Sequence, residues 1–278
     1  MSTLADRVVV VTGAARGQGR SHALAAARAG ARLVLVDRCA DSPSVGYPLA
    51  TELDLTETAE AVTALGGDPI VVTGDVAAPG VMDDVAAQAM ERFGRIDALV
   101  ANAGVHGGGS IQIADRAVWD EVISSNLTGV FASMRAVSPH MIAGGYGRIV
   151  ATASNQGRLP VPAGSAYVAS KWGVIGLVKT AAQDLAQFGI TVNAVAPGNT
   201  STPMVHNENL YRAMRPDLED PHWPDVEPTL LPHHLQPIAL LDPAEITHAV
   251  MFLLNPGTEH ITGAVIDVNA GSSARTSA

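Results

Sequence analysis

Residues 7–19, RVVVVTGAARGQG, join a run of β-branched apolar residues to a glycine-rich turn. The run is apolar along its length rather than alternating, as a strand buried on both faces requires. The turn carries Gly13, Gly17 and Gly19, and a helix is expected over 18–29 in the alanine-rich stretch that follows. Glycine tolerates positive φ and has no Cβ, so the backbone at such a turn can approach a diphosphate seated on the helix N-terminus. The next apolar run, ARLVLVD (31–37), ends in Asp37. Strand, glycine turn, helix, strand and terminal acid form the pattern of a dinucleotide site, with the acid on the ribose hydroxyls. A 2′-phosphate there would meet the Asp37 charge at a cost on the order of 1–4 kcal/mol, which favours NAD over NADP. Arg16 and Arg38 argue the other way, since either could hold a phosphate.

The same rhythm continues along the chain. Further strands are expected at 69–75, 96–104, 147–154, 190–198 and 263–269, and further helices near 54–65, 80–93, 115–143, 163–188 and 243–254. Alternation of this kind predicts an α/β fold: a single doubly wound Rossmann domain over 1–278, with a seven-stranded parallel sheet and helices on both faces. Two segments break the rhythm, 38–53 after the second strand and the Pro- and His-rich 199–241 after the sixth. Both leave the carboxyl edge of the sheet, where ligands bind, and are expected to cover the site. The first would lie across the adenosine as a cofactor-covering insertion. The second would form a substrate lid.

Composition narrows the function. With 47% hydrophobic and 16% charged residues in 278, a large core is expected and disorder is not. A net charge of −10 without a basic block argues against a nucleic-acid partner. A single cysteine, Cys39, excludes an internal disulfide and a Cys-based zinc site. No metal is expected, no apolar run reaches membrane-spanning length, and the chain is expected to be cytoplasmic.

The stretch SAYVASKWG (165–173) sets Tyr167 and Lys171 one helical turn apart, on one face. Taken with the glycine turn, the chain resembles the short-chain dehydrogenase/reductase family over nearly its whole length. TGAARGQG matches that family's TGxxxGxG loop, Asp75-Val76 its adenine-contacting pair, Asn102-Ala103-Gly104 most of its NNAG turn, and Pro197-Gly198 its motif beside the nicotinamide. Ala101 stands where the family usually has a first Asn, a departure expected to weaken a strand contact without touching chemistry. Asn126, Ser154, Tyr167 and Lys171 fall in the order and spacing of the catalytic tetrad.

The resemblance implies an oxidoreductase acting on a secondary alcohol or its ketone. Tyr167 would be the acid/base, its pKa of about 10 lowered by the Lys171 ammonium and the nicotinamide. Lys171 would also bind the nicotinamide ribose, Ser154 would orient the substrate oxygen, and Asn126 would hold a water on a proton path. Arg16, Gln18, Thr200 and Thr202 join the implied cofactor contacts. A homotetramer through the long helices is the family habit.

TGAARGQGRSHA, the insertion ending YPLA, and STPMVHNENLYRAMRPDLEDP are similar to the mycofactocin-associated, carveol dehydrogenase-like branch. That likeness implies a hydrophobic, carveol-like alcohol, firmly held NAD, and mycofactocin as redox partner. An NADPH-dependent 3-oxoacyl reductase and a non-catalytic nucleotide sensor are the alternatives. Asp37 and the acidic surface count against the first, and the complete tetrad against the second. His206, His222, His233 and His234 are expected to be solvated loop residues, and Cys39 an unreactive thiol near the adenine. Met204, Leu210, Tyr211 and Met214 suit either a pocket wall or helix packing, while Trp119 and Trp172 are expected to pack.

Overall fold

The computed structural model describes residues 4–275. Its seven strands are β1 (Val8–Thr12), β2 (Arg32–Asp37), β3 (Ile70–Thr73), β4 (Ala98–Ala101), β5 (Gly147–Thr152), β6 (Ile190–Pro197) and β7 (Val265–Val268). They form one sheet in the order β3-β2-β1-β4-β5-β6-β7, every neighbouring pair parallel. The expected doubly wound architecture is therefore what the chain forms. Strand β1 is buried throughout, as are β4, β5 and β6, which explains their unbroken apolar character.

Helices cover both faces. On one lie α1 (Gly17–Arg28), α2 (Glu52–Ala64) and α9 (Pro243–Leu254), sharing a core of Val9, Val11, Leu33, Leu35 and Val150 with the sheet. On the other, α3 (Val81–Phe93), α5 (Gly129–Gly144) and α6 (Ser165–Leu185) close over Val8, Val10, Leu99, Ile149 and Val192. Strand order reverses between β1 and β4, and their carboxyl ends diverge into the crevice where open α/β sheets take ligands.

Three expectations need correction. The helix expected over 115–143 is interrupted: α4 (Arg116–Ile123) passes through a π-helical turn at Ser124–Thr128 before α5 begins. At Gly129 a Cβ would fall 2.4 Å from Val76 Cγ2, so helix and loop meet closely there. The segment 199–241 holds two short helices, α7 (Glu208–Met214) and α8 (Trp223–Leu230). Asn207 caps α7 by accepting from Leu210 N, and the prolines of α8 at 224 and 228 leave it helical. Trp172, expected to pack, is 51% exposed on α6. Ala101 is buried in β4 beside Ala151, with the strand pairing intact.

The glycine turn is sterically fixed. Gly13 and Gly17 take φ of +65° and +56°, and a Cβ on Gly19 would lie 1.9 Å from the Gly13 carbonyl oxygen. That neighbour is backbone and cannot rotate away. Gly19→Ala is therefore expected to cost about 2 kcal/mol or more, seen as a lower urea midpoint with unchanged m-value. A midpoint equal to that of the unmodified protein would show that the turn tolerates a side chain.

Candidate active site

Helix α1 begins at Gly17, and among the described residues no side chain caps it and no acid stands in its first turn. Its first N–H groups thus face the crevice with the helix dipole behind them, suited to an anion. Asp37, at the end of β2, is held by two backbone donors: Ala15 N to Oδ2 at 3.1 Å and Cys39 N to Oδ1 at 3.2 Å. This leaves its carboxylate fixed at the crevice edge. Asp75 accepts from Ala77 N, and Val76 is buried beneath the Gly129 contact.

Across the switch point, Asn102 Nδ2 donates to the carbonyls of Thr12 and Gly13, while Thr12 Oγ1 accepts from the N–H groups of Asn102 and Ala103. Gly104 keeps the site open, since a Cβ there would lie 3.0 Å from Asn126 Oδ1 and 3.7 Å from Lys171 Nζ.

Tyr167 and Lys171 lie one turn apart on α6, both buried, with Lys171 Nζ 5.5 Å from the centre of the phenol ring. Lys171 donates to the Thr152 carbonyl at 2.7 Å. Ser154, just past β5, donates to Asn155 Oδ1 and accepts from Gln156 N. Asn126 sits in the π turn and is fully buried; its amide donates to Val105 O and Ser170 Oγ, and its Oδ1 accepts from Val105 N. Both of its N–H donors are thus committed to protein. A water held by this residue would have to use another of its atoms.

Burial sets the charges. It pushes the Tyr167 phenol up to about 12, against a hydrogen bond with Ser154 that works to lower it. Burial also brings the Lys171 ammonium down to about 8. The largest influence on the Tyr167 phenol is thus desolvation of its charged form, opposite in direction to the lowering expected from Lys171 and the nicotinamide together.

One cavity of about 910 Å³ connects these groups. Gly13, Arg16, Gly17, Gln18, Asp37, Arg38, Asp75, Val76, Asn102, Ala103 and Gly104 line it, as do Ser154, Tyr167, Lys171, Pro197, Gly198, Thr200 and Thr202. Gly19 and Asn126 stand behind this surface. Thr200 Oγ1 donates to Gly198 O, and Thr202 lies against Gly17, whose Cβ would be 3.2 Å from Thr202 Cγ2. Met204, Leu210 and Met214 join the wall, whereas Tyr211 turns to His206 Nδ1 and the Trp223 ring. Trp119 packs with Val118 against the cluster of Val45, Val105, Val122 and Tyr167.

His234 corrects the expectation of a solvated residue. It is buried, and its Nε2 accepts from Asn199 N while Nδ1 meets Ile238 O at 2.8 Å. A Cβ on Gly198 would stand 2.7 Å from that Nε2. His206, His222 and His233 are exposed. Cys39 has its thiol raised to about 11 by burial and by Asp37, so it stays protonated.

Two aromatic wall residues escaped the sequence. Tyr47, from the insertion, accepts at its hydroxyl from His106 N, and the His106 ring centre lies 4.9 Å from that of Tyr167. The insertion therefore reaches the tyrosine as well as the Asp37 end. Position alone offered a signal for His106, two residues past the NAG turn. Among the described residues, no His, Cys, Asp and Glu side chains gather as metal ligands, and no helix is long and apolar enough to cross a membrane.

A model described as short chain dehydrogenase matches residues 7–212. The (-)-trans-carveol dehydrogenase of Rhodococcus erythropolis is 38% identical over 98% of this chain and 99% of that protein. An uncharacterized NAD-dependent oxidoreductase of Mycobacterium tuberculosis is 39% identical over 97% of both. The structure is similar to that of carveol dehydrogenase from Mycobacterium avium in complex with NAD, with a TM-score of 0.96, 38% identity, and coverage of 99% of this chain and 100% of that one.

The buried lysine carries a pH signature. Its pKa is about 8 in the folded chain, against about 10.4 when unfolded. Between these values the unfolded chain binds more protons, so this group makes the protein more stable as pH rises through that window. Lys171→Met removes the effect, worth at most about 3 kcal/mol. The variant's gain in melting temperature over the unmodified protein is expected to be largest at pH 7 and to shrink by pH 10. An equal difference at both pH values would mean that Lys171 is not held down by burial.

Proposed function

Because the chain belongs to the short-chain dehydrogenase family, we propose that it is an NAD-dependent oxidoreductase interconverting a hydrophobic secondary alcohol and its ketone, with Tyr167 as the acid/base. The observation that carries this reading is the single cavity joining the glycine turn and Asp37 to Tyr167, Lys171 and Ser154. The donor set fits the nucleotide. Gly13 and Gly17 form a cradle that side chains would fill, the N-terminus of α1 takes the diphosphate, and Asp37 takes the adenosine ribose. NAD when bound supplies the hydride acceptor for alcohol oxidation and, as NADH, the donor for ketone reduction.

The chain's own residues do the rest. Ser154 orients the substrate oxygen and stabilises its developing charge. Tyr167 takes the hydroxyl proton in oxidation and returns it in reduction. A phenol near 12 stays protonated at neutral pH and cannot accept a proton, so the working state needs further positive charge beside the phenolate. Lys171, anchored on Thr152 O, is placed to supply part of it and to hold the nicotinamide ribose. Met204, Leu210 and Met214 give the substrate an apolar wall, in keeping with an alicyclic alcohol such as carveol.

We further infer that NAD is held firmly and is reoxidised in place by a redox partner such as mycofactocin. Support comes from closure over the crevice. Arg16 donates to Pro48 O at 2.6 Å, Tyr47 meets His106, and a Cβ on Gly46 would lie 3.0 Å from Asn209 Nδ2 of α7, so insertion and lid touch. Half-exposed Phe131 and Trp172 on α5 and α6 support association of copies into a homotetramer.

Tyr167→Phe keeps the ring and loses the hydroxyl. Turnover is expected to fall by about 10²–10⁴-fold or more with nucleotide affinity nearly unchanged, as measured by steady-state kinetics and titration. Turnover within a few-fold of the unmodified protein would rule Tyr167 out as the base. Purified protein is expected to carry NAD through gel filtration and to oxidise carveol for one equivalent. It should stall in free NAD and resume with an artificial electron acceptor. Sustained turnover in free NAD, indifferent to the acceptor, would contradict retention and leave the dehydrogenase reading standing.

A further inference from the structure

Arg38 follows Asp37 directly and lines the cavity, where an arginine beside the adenosine ribose would ordinarily welcome a 2′-phosphate. In this fold it is committed elsewhere. Its Nη1 donates to Glu121 Oε1 at 2.7 Å and lies 3.4 Å from Asp75 Oδ2, and its Nε donates to Ala40 O. Glu121, on α4, also accepts from Ser42 Oγ of the insertion at 2.9 Å and from Ser125 Oγ at 3.1 Å. Burial alone would raise the Glu121 carboxyl, but the bonds from Arg38 and Ser42 hold it below its ordinary value, so it stays anionic.

The arrangement has a cost that folding alone does not explain. Arg38 Nη2 is buried with no hydrogen-bond partner among the described residues, and an unmade donor on a charged group is unfavourable. The local balance is also lopsided, since Asp75 and Glu121 both face one guanidinium. Arg16, the other arginine of the cavity wall, is turned to the Pro48 carbonyl.

We propose that Glu121 is the positioning residue for cofactor choice: by clamping Arg38 it withholds the guanidinium from a 2′-phosphate and keeps the protein on NAD. This rests on the cleft being a nicotinamide dinucleotide site. It also changes what Asp37 does by itself. Removing Asp37 lifts a repulsion but frees no cation, because Arg38 remains on Glu121.

The test is calorimetric titration of NAD and NADP into full-length protein stripped of nucleotide. The unmodified protein is expected to prefer NAD, and Asp37→Ala to narrow the gap with Arg38 still clamped. Adding Glu121→Ala to Asp37→Ala is expected to raise NADP affinity a further ~10-fold or more, the scale of one charge-assisted hydrogen bond. NAD affinity should move less than about threefold, well under the 1.4 kcal/mol of a tenfold change. Adding Arg38→Ala to that pair should erase the gain. Glu121→Gln, which keeps the volume and loses the charge, should shift the ratio in the same direction and covers the case of poor folding in the alanine variant. Parallel loss of both nucleotides, or a gain that survives Arg38→Ala, overturns the proposal while leaving the cofactor reading intact. Failure of the unmodified protein to bind either nucleotide overturns the cofactor reading itself.

Discussion

The site depends on a short chain of hydrogen bonds across the switch point of the sheet. Asn102 donates to the ends of β1 and the glycine turn, and its Oδ1 accepts from Thr152 Oγ1 at the end of β5. The Thr152 carbonyl in turn accepts from Lys171 Nζ. The loop suited to a diphosphate and the helix bearing Tyr167 and Lys171 are thereby tied through two side chains. Parallel strands must diverge where their order reverses, which opens a crevice and also weakens it. Asn102 spans that gap. Without its side chain, the separation of the glycine turn and the tyrosine would rest on the strand pairing and the Thr12 hydroxyl alone.

Electrostatics in the crevice follow from burial more than from pairing. The site holds a phenol raised to about 12 and an ammonium lowered to about 8, both unfavourable for ionisation. A site of this kind is poised, because positive charge brought beside the phenol lowers its pKa toward the working range. At the Asp37 end the opposite holds. Asp37, Asp75 and Glu121 outweigh Arg38, and the excess negative charge suits unphosphorylated ribose hydroxyls.

Much of this was legible in the sequence, for reasons that are local. Strands buried on both faces write themselves as unbroken apolar runs, and Gly13, Gly17 and Gly19 mark a turn that only glycine can make. What stayed hidden was set by contacts between distant positions. Hydrophobic spacing does not separate a π turn from the helix around it, so the interruption at 124–128 was missed. Prolines and histidines disguised α7 and α8 as loop, and buried His234 looked like its exposed neighbours. Glu121 is 83 residues from Arg38, and nothing at either position announces the other. Tyr47 reaches His106 across 59 residues in the same way. Sequence named the candidate residues; packing decided which of them line one cavity.

The central claim is that this crevice moves a hydrogen between an alcohol carbon and a nicotinamide under the control of Tyr167. The direct measurement uses a hydrophobic secondary alcohol deuterated at its carbinol carbon, incubated with the NAD-loaded protein. The nucleotide is then released by denaturation and its mass determined. The account predicts deuterium in the reduced nucleotide in proportion to ketone formed, and none with Tyr167→Phe. Ketone formation with an unlabelled nucleotide, or equal labelling in the phenylalanine variant, would contradict it.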